Sequence, residues 1–241
     1  MKVLVLGSKG KMGEVVIGLL KNEPTVDEVY GFDRRDIFQS FEDVPKVDVI
    51  IDFSHPSLLK DMLDYAVSHK TPIVIATTGY NESEIKQIEE ASQHIAIFKS
   101  ANYSFGVAAI SYALKKLSPM LEHDFDIEII EKHHEHKVDA PSGTSLYLAE
   151  VINTSLEKRK TVINGHQGKK SHEDLAIHAV RGGSIVGEHQ VIFAGEDEVI
   201  ELTHIAQSKR IFALGAMKAA QFIKGQKAGL YNMDDLFKGD L

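Results

Sequence analysis

Short runs of aliphatic and β-branched residues recur through the first hundred positions, each closed by Gly, Pro, Asp or another polar residue. They are Lys2–Gly7 (KVLVLG), Glu28–Asp33 (EVYGFD), Asp48–Phe53 (DVIIDF), Pro72–Thr77 (PIVIAT) and His94–Lys99 (HIAIFK). Between them, at Met12–Lys21, His55–His69 and Glu82–Ser92, apolar positions repeat with helical spacing. Continuous apolar runs of this length suit strands covered on both faces. Their alternation with helices, joined by right-handed crossovers, predicts an α/β fold with a Rossmann-like, doubly wound parallel sheet.

The pattern changes after Ser100. Phe105–Leu117 reads as a helix that Pro119 closes. A strand at Phe125–His133, a helix at Thr144–Leu156, and strands at Leu175–Arg181, Ser184–Phe193 and Glu198–Ala206 follow, with Ser155–Ser171 as a polar, Lys-rich, loop-like insertion. Strands without interleaved helices predict a C-terminal α+β domain with a mostly antiparallel sheet. Arg210–Ile223 is an Ala-rich helix, and Gly225 and Gly229 are its stop signals. The domains expected are 1–104 and 105–209.

Composition narrows the chemistry. None of the 241 residues is Cys, which excludes disulfides, Cys nucleophiles and Cys-ligated metals. The net charge of −8 disfavours nucleic acid as a partner. No run has the length of a secretory or membrane segment, so a cytoplasmic protein with no membrane partner is expected.

Gly7, Ser8, Lys9, Gly10, Lys11, Met12 and Gly13 follow the first strand and open the first helix. Glycines there let backbone N–H groups approach a pyrophosphate at a helix N-terminus, and the last allows tight helix–strand packing. Asp33 ends the second strand 20 residues after Gly13, where a ribose 2′-hydroxyl is recognised. Arg34, Arg35, Lys9 and Lys11 can instead neutralise a 2′-phosphate. The expectation is therefore NADPH or NADH, with dual use. Two turns at later strand ends, Ala76-Thr77-Thr78-Gly79 and Ser100-Ala101-Asn102-Tyr103, suit the nicotinamide and its ribose.

The densest chemistry lies in Glu131-Lys132-His133-His134-Glu135-His136-Lys137-Val138-Asp139-Ala140-Pro141-Ser142-Gly143-Thr144. Even spacing would place His133 and Lys137 on one strand face, converging a proton donor and a cation on one substrate. Ser142 or Thr144 can cap the following helix, and the Gly143 and Thr144 amides can hold a carboxylate. His134 joins that positive cradle. No metal ligand set is expected, because His133 and His134 point oppositely on a strand and no helical His-Glu-x-x-His spacing occurs. Two competing readings stay open on the residues alone. One is a nucleotide-sensing module without catalysis, for which a pyridine dicarboxylate would leave nucleotide affinity unaltered. The other is a zinc hydrolase, which metal analysis would identify.

The run His133-His134-x-x-Lys137-x-Asp139-x-Pro141-Ser142-Gly143-Thr144 resembles the signature of the bacterial 4-hydroxy-tetrahydrodipicolinate reductases, also called dihydrodipicolinate reductases, of diaminopimelate and lysine biosynthesis. The glycine loop, Thr77–Gly79, Asn102–Ser104, Arg181–His189 and Gly229–Asp235 extend the resemblance along the chain, with Ala76 and Tyr103 as small departures. The resemblance implies a dinucleotide-binding first domain to which residues 210–241 return, a second domain for substrate binding and homotetramer formation, and an interdomain hinge at Arg181–Glu188. It implies His133 as catalytic proton donor and acceptor, Lys137 as second proton donor, His134 as a substrate contact, and Gly143 with Thr144 as carboxylate binders. The substrate implied is a small dicarboxylate cyclic imine, which loses water and receives hydride from NAD(P)H.

Overall fold

The computed structural model describes residues 1–33, 36, 38 and 40–237. The chain divides into two compact units, Met1–Ser104 with Arg210–Leu241, and Phe105–Lys209.

The first unit alternates strands and helices: β1 (Lys2–Leu6), α1 (Lys11–Leu20), β2 (Glu28–Phe32), β3 (Val49–Asp52), α2 (Leu59–His69), β4 (Ile73–Ile75), α3 (Glu82–Ser92) and β5 (Ala96–Lys99). Residues Val3–Leu6 and Val49–Ile51 are fully buried, as expected for strands covered on both faces. All strand pairs are parallel. The order is β2-β1-β3-β4-β5, so the connections reverse direction between β1 and β3, with Val5 opposite both Gly31 and Ile51. Ligands of open α/β sheets bind beyond the carboxyl ends of the strands at such a reversal.

The second unit runs α4 (Phe105–Leu121), β6 (Asp126–His133), α5 (Gly143–Ser155), β7 (Thr161–Asn164), β8 (Asp174–Arg181), β9 (Gly187–Ala194) and β10 (Val199–Ala206). Its sheet order is β10-β9-β6-β8-β7. The antiparallel arrangement expected here holds for β6–β9–β10, while β8 lies parallel to both β6 and β7, making the sheet mixed. One face is buried, with Ile127, Ile129, Ile177, Val191 and Phe193 packed among Leu114, Leu148 and Ile152 of α4 and α5.

The chain then returns to the first unit as α6 (Arg210–Ile223) and β11 (Gly229–Tyr231), which pairs with β5 as a sixth parallel strand. Small buried residues, Ala213, Gly215, Ala216, Ala219 and Ala220, let α6 lie close on the sheet. A Cβ on Gly215 would stand 1.6 Å from the Tyr103 carbonyl oxygen.

Four details depart from the sequence reading. Pro119 does not close α4, which continues to Leu121 because Leu114 and Ser118 are buried and Leu117 and Leu121 pack against the core. One lost backbone hydrogen bond in a final turn is outweighed by that packing. Part of the polar insertion forms β7, whose backbone pairs with β8 although its side chains stay largely exposed. β6 ends at His133, so Lys137 lies beyond the strand and shares no strand face with His133. Arg181–Glu188 joins β8 to β9 inside the second unit, whereas the chain passes between units near residues 104 and 209; the expected hinge is not at the unit boundary.

Candidate active site

At the β1–β3 reversal, a cleft of about 720 Å³ is lined by Gly7, Gly10, Phe32, Asp33, Phe53, Ser54, His55, Ser57 and Leu58. Gly7 adopts φ 72°, and a Cβ there would lie 2.4 Å from the Phe53 carbonyl oxygen. On Gly13 a Cβ would lie 2.1 Å from the Gly7 carbonyl oxygen, so the last glycine of the loop does set the close approach of α1 to the strand. Gly10 caps α1 without a side-chain hydrogen bond, leaving the first N–H groups of the helix without partners inside it. Glycine-lined backbone, free helical amides and a cleft at the strand ends together fit a dinucleotide.

The expected cofactor residues are distributed unevenly. Asp33 follows β2 directly and faces the cleft. Arg34 lies outside the described residues. Lys9 and Lys11 are exposed, but Lys9 Nζ is 3.7 Å from Asp36 Oδ2, which also accepts a 2.6 Å hydrogen bond from the buried Ser8 hydroxyl. Asp36 therefore orders the loop, a role the sequence reading missed. Met12 is half-buried in the first turn of α1. Ala76 N donates to Asp52 O, Thr77 is buried and Thr78 is exposed. Asn102 Oδ1 accepts from Ser104 N at 2.7 Å, and Ser100 Oγ donates to Asn102 O at 3.0 Å, while Ala101 is exposed. Tyr103 is buried, and its hydroxyl donates to Ile75 O at 2.6 Å. Its side chain thus ties the ends of β4 and β5 together and offers no polar atom to a ligand. Phe53 and His55, read only as the end of a strand and the start of a helix, follow β3 with Ser54 between them; the position of that strand beside β1 is what brings them to the cleft.

The second constellation is built by strand register. β6 alternates, sending Ile127, Ile129, Glu131 and His133 to the covered face. Glu131 stands opposite His189 of β9, and His133 opposite Arg181 of β8. Glu131 Oε2 is 2.6 Å from His133 Nδ1, and the Arg181 guanidinium donates to both Glu131 oxygens at 2.7 Å. Ser142 N adds a 3.1 Å bond to Glu131 Oε1. Burial alone would push the Glu131 carboxyl up, but the Arg181 fork and His133 outweigh it and hold the group below the ordinary carboxylate range. An ionised carboxylate only accepts, so Nδ1 of His133 carries a proton and the ring's exchangeable position is Nε2. A Cβ on Gly187 would lie 3.2 Å from that Nε2, so the glycine leaves space beside it.

His189 packs edge-on to His133 with ring centroids 5.2 Å apart. Burial, then the neighbouring His133, pushes its pKa down to about 4, which keeps it neutral. Its Nε2 lies 3.0 Å from Ser142 Oγ. Ser142, not Thr144, is the N-cap of α5: its hydroxyl accepts from Ser145 N at 3.2 Å. Gly143 and Thr144 occupy the first turn of α5, at its positive end, and Gly143 is open enough that a Cβ would touch nothing within 4 Å. Lys137, held by a turn from His134 O, is 2.8 Å from Asp139 Oδ1, and Asp139 O accepts from Arg181 at 2.7 Å. His134 Nδ1 is buried without a hydrogen-bond partner, a state that a ligand contact would relieve. Glu131, Arg181 and His189 had no role in the sequence reading, although the i, i+2 spacing of Glu131 and His133 on one strand face was a legible signal.

Comparison with known proteins agrees along the chain. Residues 1–103 match the family model for the N-terminus of dihydrodipicolinate reductase and residues 106–237 that for its C-terminus. A 4-hydroxy-tetrahydrodipicolinate reductase of Clostridium tetani is 45% identical, covering 97% of this chain and 95% of that one. One of Caldanaerobacter subterraneus subsp. tengcongensis is 46% identical with 98% of each covered, and one of Brachyspira hyodysenteriae 44% identical with 98% and 99% covered. Among solved structures, a dipicolinate-bound dihydrodipicolinate reductase from Paenisporosarcina sp. TG-14 shares the fold, with a TM-score of 0.80 at 23% identity over 98% of this chain and 99% of that one. The order of motifs read from the sequence and these matches over nearly all 241 residues have one conclusion: the chain belongs to the 4-hydroxy-tetrahydrodipicolinate reductases, NAD(P)H-dependent oxidoreductases of diaminopimelate and lysine biosynthesis.

Proposed function

We propose that the residues around Glu131 carry the proton chemistry and anion recognition of this reaction, and that the Gly7–Met12 loop with Asp33 binds the reduced nucleotide. The observation carrying the reading is that one buried carboxylate, Glu131, joins His133, Arg181 and the backbone of Ser142, linking both halves of the His-His…Pro-Ser-Gly-Thr segment.

The net reaction replaces a ring hydroxyl by hydrogen: a hydride and a proton enter, and the hydroxyl leaves as water. NADH or NADPH, when bound, supplies the hydride. His133 Nε2 exchanges a proton with the substrate while Glu131 holds the ring through Nδ1. Lys137 provides the second proton, and Asp139 restrains its ammonium. One substrate carboxylate sits on the Gly143 and Thr144 amides at the positive end of α5, and His134 Nδ1 completes the polar contacts. Dipicolinate, the planar diacid bound to the Paenisporosarcina relative, has the charge and shape this cradle would accept.

For the nucleotide, Asp33 suits a free ribose hydroxyl, and the cations Lys9 and Lys11 support acceptance of a 2′-phosphate, so we propose that both cofactors serve. For assembly, the sheet face of the second unit turned away from α4 and α5 exposes Val180, Val199 and Ile205; an apolar face of that kind supports subunit contact, and we propose a homotetramer. No helix among the described residues is long and apolar enough to cross a membrane, and a cytoplasmic setting suits a thiol-free biosynthetic enzyme.

The test couples the protein to a synthase that makes the hydroxy-imine from pyruvate and aspartate semialdehyde, following nicotinamide absorbance. Loss of absorbance that depends on substrate, and that His133→Ala suppresses, supports these assignments; an undiminished rate in His133→Ala overturns them.

A further inference from the structure

A second cluster of titratable side chains stands on the opposite face of the same sheet. Glu128 lies between the core residues Ile127 and Ile129 on β6 and therefore points away from α4 and α5. His178 follows the core residue Ile177 on β8, and the register Ile130↔His178 places it diagonally across from Glu128. His166 arrives from beyond β7. Gly165 turns the chain there with φ 68°, and its N–H bonds to Ile177 O at 3.0 Å, laying His166 back over β8. His166 Nε2 is 2.9 Å from Glu128 Oε1, and His178 Nε2 is 2.9 Å from Glu128 Oε2. Three separate chain segments thus bring two imidazole nitrogens and one carboxylate together, with one donor atom from each within 4.8 Å of the others.

We propose that Glu128, His166 and His178 form a binding site for one divalent transition-metal ion of the zinc class. Two imidazoles and a carboxylate select zinc, cobalt or nickel over the hard ions calcium and magnesium, which prefer all-oxygen shells. A tetrahedral ion with bonds of about 2.0–2.1 Å holds its donors about 3.3 Å apart, so the 2.9 Å histidine–carboxylate pairs would open slightly while the donor set, now within 4.8 Å, draws together around the ion. The ion would replace the two Nε2–H donors, with each ring moving its proton to Nδ1. In the single chain the side chains of Glu128, His166 and His178 are 16%, 23% and 37% exposed, and because this is the sheet face proposed above for subunit contact, the ion would sit beside that contact. Lys170 opposes the ion, lying 3.6 Å from Glu128, but its closer partner is Asp126 at 3.0 Å, so its charge has a place to remain. The site lies on the face away from His133, and its role is to clip the segment after β7 to β6 and β8.

The experiment strips the purified full-length protein with a chelator and titrates it with Zn²⁺ by calorimetry, and with Co²⁺ by visible absorption. The expected result is one ion per chain, tetrahedral cobalt bands, a raised Tm, and a fall in affinity of at least about tenfold in both His166→Ala and His178→Ala. His136→Ala, which removes an exposed histidine near the other site, should leave the titration unchanged. His166 lies outside regular structure, so its replacement tests the site without breaking a strand. Absence of stoichiometric binding, or binding that persists in both His166→Ala and His178→Ala, overturns the proposal.

Discussion

The Glu131 carboxylate stands 2.6 Å from His133 Nδ1 and has no solvent-accessible side-chain surface. The geometry is that of a base held by an acceptor that cannot turn away, because Arg181 and Ser142 N occupy its remaining lone pairs. Glu131→Gln preserves the shape and removes the charge. Turnover should fall about a hundredfold with little change in nucleotide affinity. Stability should fall by about 2 kcal/mol, the modest side of a broken buried pair, because Arg181 keeps partial access to water. Steady-state kinetics with denaturant unfolding checks both; an unchanged kcat would remove Glu131 from the proton machinery.

Buried His189 gives stability a defined pH dependence. Its folded-state pKa of about 4 lies below the ordinary histidine value of 6.5, so the unfolded chain takes up a proton first as pH falls. The contribution of neutral His189 is therefore fully present above about 6.5, is lost between 6.5 and 4, and is gone below 4, a span of about 3 kcal/mol. Glu131, held low, adds a loss that begins as pH falls through its ordinary value of 4.5 and continues to more acidic pH. Unfolding free energies measured from pH 7 to 4 should fall less steeply in His189→Gln than in the parent; parallel curves would contradict this.

Two glycines separate folding from binding. Gly13→Ala would put a methyl group 2.1 Å from the Gly7 carbonyl oxygen, so it should lower Tm and nucleotide affinity together. Gly143→Ala meets nothing within 4 Å, so Tm should hold while KM for the diacid rises. Thermal unfolding beside calorimetric titration of both ligands distinguishes the two outcomes.

How much of this was legible in the sequence depended on the range of the causes. The glycine loop was readable because the demands on Gly7 and Gly13 are steric and arise within one strand–turn–helix. β1, β3, β4 and β5 were readable because nearly every position in them is buried. Pro119 misled because packing of Leu114 and Leu121 two turns apart overrides a local backbone defect. β7 was invisible because an edge strand with exposed side chains has no apolar alternation. The Glu131–Arg181 fork spans 50 positions and exists only through the β6–β8 register, which no local pattern encodes. For the same reason the His133–Lys137 strand-face argument failed: where β6 ends is decided by its neighbours.

The proposed use of both cofactors, resting on Asp33 and the loop cations, has a direct test. Titrations with NADH and NADPH should give affinities within about a thousandfold of each other. Saturating pyridine dicarboxylate should shift the affinity for reduced nucleotide, because a reductase holds both at once. A larger gap would reject dual use, and independence of the two ligands would favour a nucleotide-sensing module.

The proposal stands on whether His133 and Lys137 supply the protons of the nicotinamide-dependent reduction. Single-turnover mixing of protein and reduced nucleotide with freshly generated hydroxy-imine, read by nicotinamide absorbance, tests it directly. One equivalent of nucleotide should be oxidised per chain, slowed at least about a hundredfold in His133→Ala and in Lys137→Ala with nucleotide affinity retained. Oxidation at the parent rate in both variants would contradict it.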